Sequence, residues 1–455
     1  MSRNAKKLCI LFVIFFCSSF VEIKLEDDLR KALEDLYKFS PKIKYQRELL
    51  KGKDELMPQA FSDFRPEITG YYEKGKLDTN SSGFNIIANG IRTETNKGLK
   101  ITQDIFDGGS SLSKIKAALN EIKAERFSLK TTEQEVFLDG IKLYGELATE
   151  TINLNLSEKN VEFLNRQLEL VKQQYEIGEV TLTDVSIANA RYSLGFSEKL
   201  KIESNLKSLR TKYLSFFGNN PYAPTLEFVN SLPNLESEQG KNIKNLIDYN
   251  PSLKNLNFLI KSSEKTIQSL KRKKLPSVKL EAEAKINKGY FRSDSEREVL
   301  SAFTKVEIPL YQSGMASSKI REEKQKLFAL QQLFFEKKNE LEYELMAEIF
   351  NYNYSFSRID AFNSQIESNK IFLNGLQQEL MLGERTTLDI LDGEQELLKS
   401  QLDLAKSKNE LFISYYEILF ILGRLNAKDL KLNVVLFDER KNFNKVKFKW
   451  LDIFE

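Results

Sequence analysis

A chain of 455 residues that is 29% charged, with one tryptophan, nine prolines and a mean hydropathy of −0.40, lacks the contiguous apolar runs of a compact enzyme of that length and favours an elongated molecule. It has no histidine, which removes histidine-based triads, histidine general bases and nearly all zinc sites, so neither metal nor cofactor is expected. Its 68 basic and 65 acidic side chains nearly balance, and nothing in that balance points to nucleic acid.

The first residues read as an address. Arg3, Lys6 and Lys7 precede the apolar run "LCILFVIFF" (Leu8 to Phe16) and the small residues "CSS" (Cys17 to Ser19), the pattern of a secretory signal peptide over 1–19. The run is too short to span a bilayer, and Phe16 is too bulky to precede a lipidated cysteine. Cys9 and Cys17, the only cysteines, lie inside this segment, so no disulfide framework is expected.

The rest divides into a first repeat (20–217), a linker rich in Pro, Gly, Asn and Ser (218–240), a second repeat (241–425) and a tail (426–455) that belongs to neither copy. Gly109 matches Gly314, Gly178 matches Gly383 and Gly218 matches Gly423, each pair 205 residues apart. Upstream, Pro41 and Pro66 match Pro251 and Pro276 at a spacing of 210, so a loop between Pro66 and Gly109 is longer in the first copy.

Each repeat predicts the same order of elements. A helix of about 24 residues (Pro41 to Phe64, Pro251 to Lys274) leads into a strand pair near 66–106 and 277–310. "SVKLEAEAKI" alternates without error, with Val278, Leu280, Ala282, Ala284 and Ile286 on one face and Lys279, Glu281, Glu283 and Lys285 on the other. Leu300, Ala302, Val306, Ile308 and Leu310 continue the apolar face on its partner, and Ile68 to Lys74 with Gly98 to Phe106 form the rougher first pair. About ten such residues suit a membrane β-strand with a lipid face and a wet face, and they also suit a soluble two-layer sheet. Gly108, Gly109 and Gly314 turn strand into helix.

The segments Leu112 to Ile177 and Ser317 to Leu382 contain no proline and would reach about 100 Å as helices. Ile115, Ile122, Leu129, Val136 and Leu143 recur every seven residues, and Leu147, Leu154, Val161, Leu168 and Tyr175 take over four residues later. The second copy repeats this with Ile320, Leu327, Phe334 and Leu341, then Tyr352, Ile359, Ile366, Leu373 and Leu380; only Glu348, opposite Leu143, breaks it. Sustained heptads signal coiled-coil packing, and the four-residue shift is a local change of seam. Glycine turns at Gly178 and Gly383 then return the chain along Asp184 to Phe216 and Asp389 to Leu422.

Four strands cannot close a barrel, and open sheet edges do not survive in lipid, so a membrane reading demands oligomerisation. Here the chain resembles a known family. The duplicated strand-strand-long-helix unit, "QDIFDGG" and "IPLYQSGM" at the strand-to-helix turns, "YEIGEVTLTDV" and "LGERTTLDILD" at the helix tips and the closing "ILGRL" are similar to the TolC-like outer membrane factors over Leu25 to Leu425. The resemblance implies a mainly α chain with a small β part that forms a homotrimer: a 12-stranded barrel in outer membrane lipid, continued by a periplasmic α-helical barrel. It also implies a passive exit duct for efflux or type I secretion that works with a periplasmic adaptor (membrane fusion) protein and an inner-membrane transporter, ABC or proton-driven. The tail segment "FDERKNFNKVKFKW" is similar to tails of type I secretion members.

Carried over by matching motif, Arg385 is a gating arginine, Thr183 and Asp184 are its partners on the other tip, and Asp389 and Asp392 match acidic rings of the constriction. One departure stands out: the family's tip aromatic falls on Leu380. Capping alone also accounts for Asp184 and Asp389, because Thr181 and Thr386 precede them at capping-box spacing, and Gly178 and Gly383 fit helix C-caps. A solvated charged face is the plainer reading of Arg385 and Asp392. A periplasmic coiled-coil adaptor or scaffold is the alternative function. A carboxylate enzyme is not expected, since solvated helices offer no cleft to hold two carboxylates across a substrate.

Overall fold

A computed structural model describes residues 25–80, 90–222, 224–232 and 244–450. The signal-peptide reading at 1–19, the first repeat's extra loop at 81–89 and the end of the linker at 233–240 lie outside the described residues. The chain forms two units: residues through Gln46 with Leu129–Pro251 and Lys338–Phe437, and Arg47–Ser128 with Ser252–Lys337 and the residues from Asp438 onward.

The second unit carries the sheet. Strands β1 (Glu67–Thr79), β2 (Gly90–Phe106), β3 (Ser277–Lys288) and β4 (Glu296–Glu307) pair antiparallel in the order β1-β2-β3-β4, which leaves β1 and β4 as its edges. The register puts apolar residues in common rungs. Ile68, Ile101, Ala282 and Ala302 form one, and Gly70, Leu99, Ala284 and Leu300 form the next. The opposite face is charged, with Lys100 and Glu281 3.6 Å apart and Lys285 and Glu283 3.0 Å apart. β4 stops at Glu307, short of Ile308 and Leu310, because Pro309 has no N–H to give the ladder.

Helices α1 (Asp27–Phe39), α2 (Pro41–Asp54) and α3 (Leu56–Phe61) precede β1. The single helix expected over Pro41 to Phe64 is broken at Glu55, since Pro58 cannot donate to the Asp54 carbonyl one turn back. Its counterpart α6 (Pro251–Arg272) has no internal proline and is continuous. In the second unit α6 lies on the first part of α4 (Ser110–Glu176): Asn255 donates to the Ala124 carbonyl at 2.7 Å, Ser262 to Ala117 at 2.9 Å, and Phe127 stacks on Phe258 at 5.6 Å.

The long helices α4 and α7 (Met315–Met381) each have 67 residues and return as α5 (Leu182–Phe217, 36 residues) and α8 (Thr387–Ile421, 35 residues). The heptad positions Ile122, Leu129, Val136, Leu143, Leu147 and Leu168 are buried, as are Leu341, Tyr352, Ile359 and Leu373 in the second copy. In the first unit the return helices add an aromatic layer in which Tyr213 stacks on Phe217 at 4.0 Å and Phe412 meets Tyr416 at 5.0 Å. Glu26 fastens the start of the linker by accepting from Thr225 Oγ1 at 2.8 Å and Phe228 N at 2.7 Å. No described helix is long and apolar enough to cross a membrane. The tail contains a short helix, α9 (Lys441–Val446).

Candidate functional site: the helix-hairpin tips

The two tips share one backbone design. α4 ends as Gly178 adopts φ 79°, with Gly178 N bonded to Tyr175 O at 3.0 Å and Glu179 N to Gln174 O at 2.9 Å. α7 ends as Gly383 adopts φ 76°, with Gly383 N bonded to Leu380 O and Glu384 N to Glu379 O, both at 3.0 Å. These left-handed glycines close the helices and satisfy their last carbonyls.

The return helices start from matching capping boxes. Asp184 Oδ2 accepts from Thr181 N at 2.8 Å and from its hydroxyl at 2.7 Å, while Asp184 N donates back to Thr181 Oγ1 at 3.3 Å. Asp389 and Thr386 repeat these bonds at 2.8, 2.8 and 3.4 Å. The Thr181 hydroxyl holds Asp184 below the usual carboxylate range, and for Asp389 the Thr386 backbone N–H is the larger cause. Both carboxylates are therefore ionised at neutral pH.

Beneath the turns the apolar packing differs. Leu168, Val171 and Ala188 form the first tip's core, with Val180 and Val185 against it. Val180 and Val185 flank the Thr181 cap as N′ and N4, the positions of a hydrophobic staple. The second tip's core is Leu373, Leu376, Ile390 and Leu397, with Leu380 packed on it. Its N4 residue is Ile390, but the N′ position is Arg385, 205 residues after Val180. The second copy thus carries an exposed cation where the first has a staple valine. Leu380, in the place of the family's tip aromatic, serves packing.

Arg385 Nε donates to Glu379 Oε2 at 2.8 Å, within its own hairpin. Thr183 is exposed in the first turn of α5, and neither it nor Asp184 is bonded to Arg385 in the single chain. Asp392 Oδ1 accepts from Arg191 Nη2 at 2.9 Å, and Arg191 Nη1 donates to Gln395 at 2.6 Å, which ties the start of α8 to α5. The sequence reading missed Arg191. Its only signal is opposite charge at similar heights on the two return helices, a pattern that many charged positions share. Isolated glycine-turn motifs would not have singled it out.

At the other end of the hairpins, Gly109 (φ 78°) and Gly314 (φ 77°) turn strand into helix, and Gly108 (φ 68°) is matched in the second copy by Ser313 (φ 50°). Asp107 caps α4 by accepting from Gly109 N at 3.0 Å and Ser111 N at 2.6 Å.

A sheet with two open edges and an apolar face, joined to two long hairpins with twin capped tips, is the architecture of outer-membrane channel protomers. The sequence profile of the outer membrane efflux protein family matches residues 40–208 and 242–424, and the chain belongs to that family. It is 23% identical over 439 residues to the outer membrane efflux protein BepC of Brucella suis biovar 1, covering 94% of this chain and 92% of the relative. Against the outer membrane protein TolC of Escherichia coli K12 it is 23% identical over 445 residues, covering 93% and 88%. Among solved structures, the outer membrane protein VceC of Vibrio cholerae shares the fold with a TM-score of 0.74 at 17% identity, covering 87% of this chain and 96% of VceC. The protein is an outer-membrane protein with the fold of a channel, which sets aside the periplasmic adaptor alternative.

Proposed function

We propose that the chain is one protomer of a homotrimeric exit duct for efflux or type I secretion, gated at its periplasmic hairpin tips. Three chains would supply twelve strands, with β4 of one protomer pairing with β1 of the next. That pairing satisfies the edge N–H and C=O groups that lipid leaves without partners. A periplasmic adaptor couples the duct to an inner-membrane transporter, ABC or proton-driven, which supplies the energy. The duct itself is passive.

The single observation that carries the gate is the trade of Val180 for Arg385 at the staple position, since a cation there gives up apolar packing inside its own tip. In the closed trimer Arg385 is positioned to exchange Glu379 for the neighbouring tip, with Thr183 and Asp184 as its partners and Asp389 beside it. Gly178 and Gly383 act as the tip hinges. Asp389 and Asp392, repeated about the threefold axis, form an acidic constriction that favours cations and takes up a multivalent cation as a plug. Arg191 moderates that ring by pairing with Asp392 in each chain.

The test is single-channel conductance in planar lipid bilayers. Wild type should show a small, cation-preferring conductance, Arg385→Ser a larger one, and Asp389→Asn/Asp392→Asn a loss of cation preference and of block by multivalent cations. Unchanged conductance in Arg385→Ser removes the gate, and unchanged selectivity in the double variant removes the ring. A folded trimer that forms no channel removes the duct.

A further inference from the structure

We propose that the C-terminal segment around Trp450 is a membrane-surface anchor that seats on anionic phospholipid headgroups at the periplasm-facing boundary of the outer membrane. The proposal rests on β1 to β4 being the membrane strands. The sequence assigns this segment to neither repeat, and the duct described above makes no use of it.

The segment is fastened beside the strand ends, within the unit that holds the sheet. Asn442 Nδ2 donates to Asp54 Oδ2 at 2.9 Å, Phe443 lies 5.1 Å from the Arg126 guanidinium, and Phe448 packs on Phe61 at 5.5 Å. Arg65 closes the array by donating from Nη1 to the Lys449 carbonyl at 2.9 Å, with its guanidinium 5.1 Å from the Trp450 ring. Arg65 lies two residues before Glu67, the first residue of β1. These contacts place the Trp450 ring at the level where the sheet begins.

What the segment presents there is unlike a solvated tail. Trp450 is 66% exposed and Phe448 is 64% exposed, although ordered backbone holds both in place. At the same end of the sheet, just past the opposite edge strand β4, Leu310 is 93% exposed. Between Asp438 and Trp450 the sequence carries five cations, Arg440, Lys441, Lys445, Lys447 and Lys449, against two acids. An exposed indole with an arginine on its ring, at the end of a lysine-rich stretch, is the chemistry of the headgroup layer: the ring sits at the edge of the hydrocarbon and the cations meet lipid phosphates. A neighbouring protomer is the other occupant to weigh, but the cores of protein interfaces are depleted in lysine. The charge therefore favours lipid.

Trp450 is the only tryptophan of the chain, so its fluorescence reports this site alone. The full-length protein is reconstituted into vesicles of phosphatidylethanolamine and phosphatidylglycerol, with or without bromine near the top of the acyl chains, and its co-flotation with the vesicles is checked first. The expected result is that shallow bromines remove about half of the emission, consistent with an interfacial ring, while aqueous iodide does little. In Arg440→Glu/Lys445→Glu, which alters two exposed charges outside the packed contacts, quenching by brominated phosphatidylglycerol should fall about twofold. Emission quenched by iodide and indifferent to brominated lipid overturns the anchor in favour of a water-exposed tail. Emission indifferent to both overturns it in favour of cover by a neighbouring protomer. A protein that does not float with vesicles refutes the membrane strands themselves, whereas a floating protein with an unquenched Trp450 refutes only the anchor.

Discussion

Glu348, the one charge in the second heptad seam, makes a quantitative prediction. It occupies the α7 position that corresponds to buried Leu143 in α4. Its Oε1 accepts from Asn351 Nδ2 at 3.2 Å, and its carboxyl faces Ser414 and Glu417 on α8. Glu417 is itself paired with Lys142 Nζ at 2.6 Å. Burial pushes Glu348 up to about 7, and the hydrogen bond to the neighbouring Glu417 adds to the rise. An acid raised above its ordinary value of 4.5 holds its proton more tightly in the folded chain than in the unfolded one. Its contribution is complete below about pH 4.5 and is lost as the pH rises through about 7.

At face value the shift is worth about 3 kcal/mol. Glu348 is only half-buried, and solvent screening reduces this to about 1–2 kcal/mol. Glu348→Gln keeps the shape, can donate to Glu417 and does not titrate. Urea unfolding in detergent micelles should therefore show the variant ahead of wild type by about 1–2 kcal/mol per chain at pH 8.5, with the advantage vanishing near pH 4.5. Comparing the two proteins at each pH cancels the titrating groups that do not interact with Glu348, so the difference reports Glu348 together with its partner Glu417. A variant that tracks wild type at both pH values, or one whose advantage grows as pH falls, would refute the assignment of the proton to Glu348.

Two further substitutions probe the frame. Gly218 ends α5 at φ 79°, and a Cβ there would lie 2.7 Å from the Phe39 ring, so Gly218→Ala should lower stability by about 1–3 kcal/mol, read as an earlier unfolding midpoint. Asn442→Leu deprives the buried Asp54 carboxyl, already raised mainly by burial, of its hydrogen bond; a cost of about 1–3 kcal/mol is expected, with faster proteolysis of the tail after Asp438.

Much of this fold could be read in the sequence because its signals are local or strictly periodic. The absence of proline over two long heptad stretches gave α4 and α7, and the alternation of Val278 to Ile286 gave β3. β2 runs eight residues further upstream than its expected start at Gly98, through "GIRTETNK", where apolar alternation is absent. Those residues are strand because backbone groups on β1 claim them from Thr79↔Gly90 onward, a nonlocal cause that composition does not register. The tail and Arg191 escaped for the same reason. The Arg65 to Lys449 bond closes over 384 residues and the Arg191 to Asp392 bond over 201, and on charged surfaces many other pairings satisfy the same spacing.

The duplication supplies a second kind of reading, because each copy is a control for the other. Where both copies need a backbone conformation they reach it twice, with nearly equal φ at Gly178 and Gly383 and nearly equal capping bonds at Asp184 and Asp389. At three places where the copies part, the second one gives up stability: Ser313 takes a left-handed φ of 50° that Gly108 adopts freely, Glu348 replaces a buried leucine, and Arg385 replaces a staple valine. A fold that has solved the same local problem once already, at lower cost, has no structural need for the dearer solution. Arg385 joins that cost to exposure at a hairpin tip, which is why the proposed gate centres on the second tip and takes its proposed partners from the first.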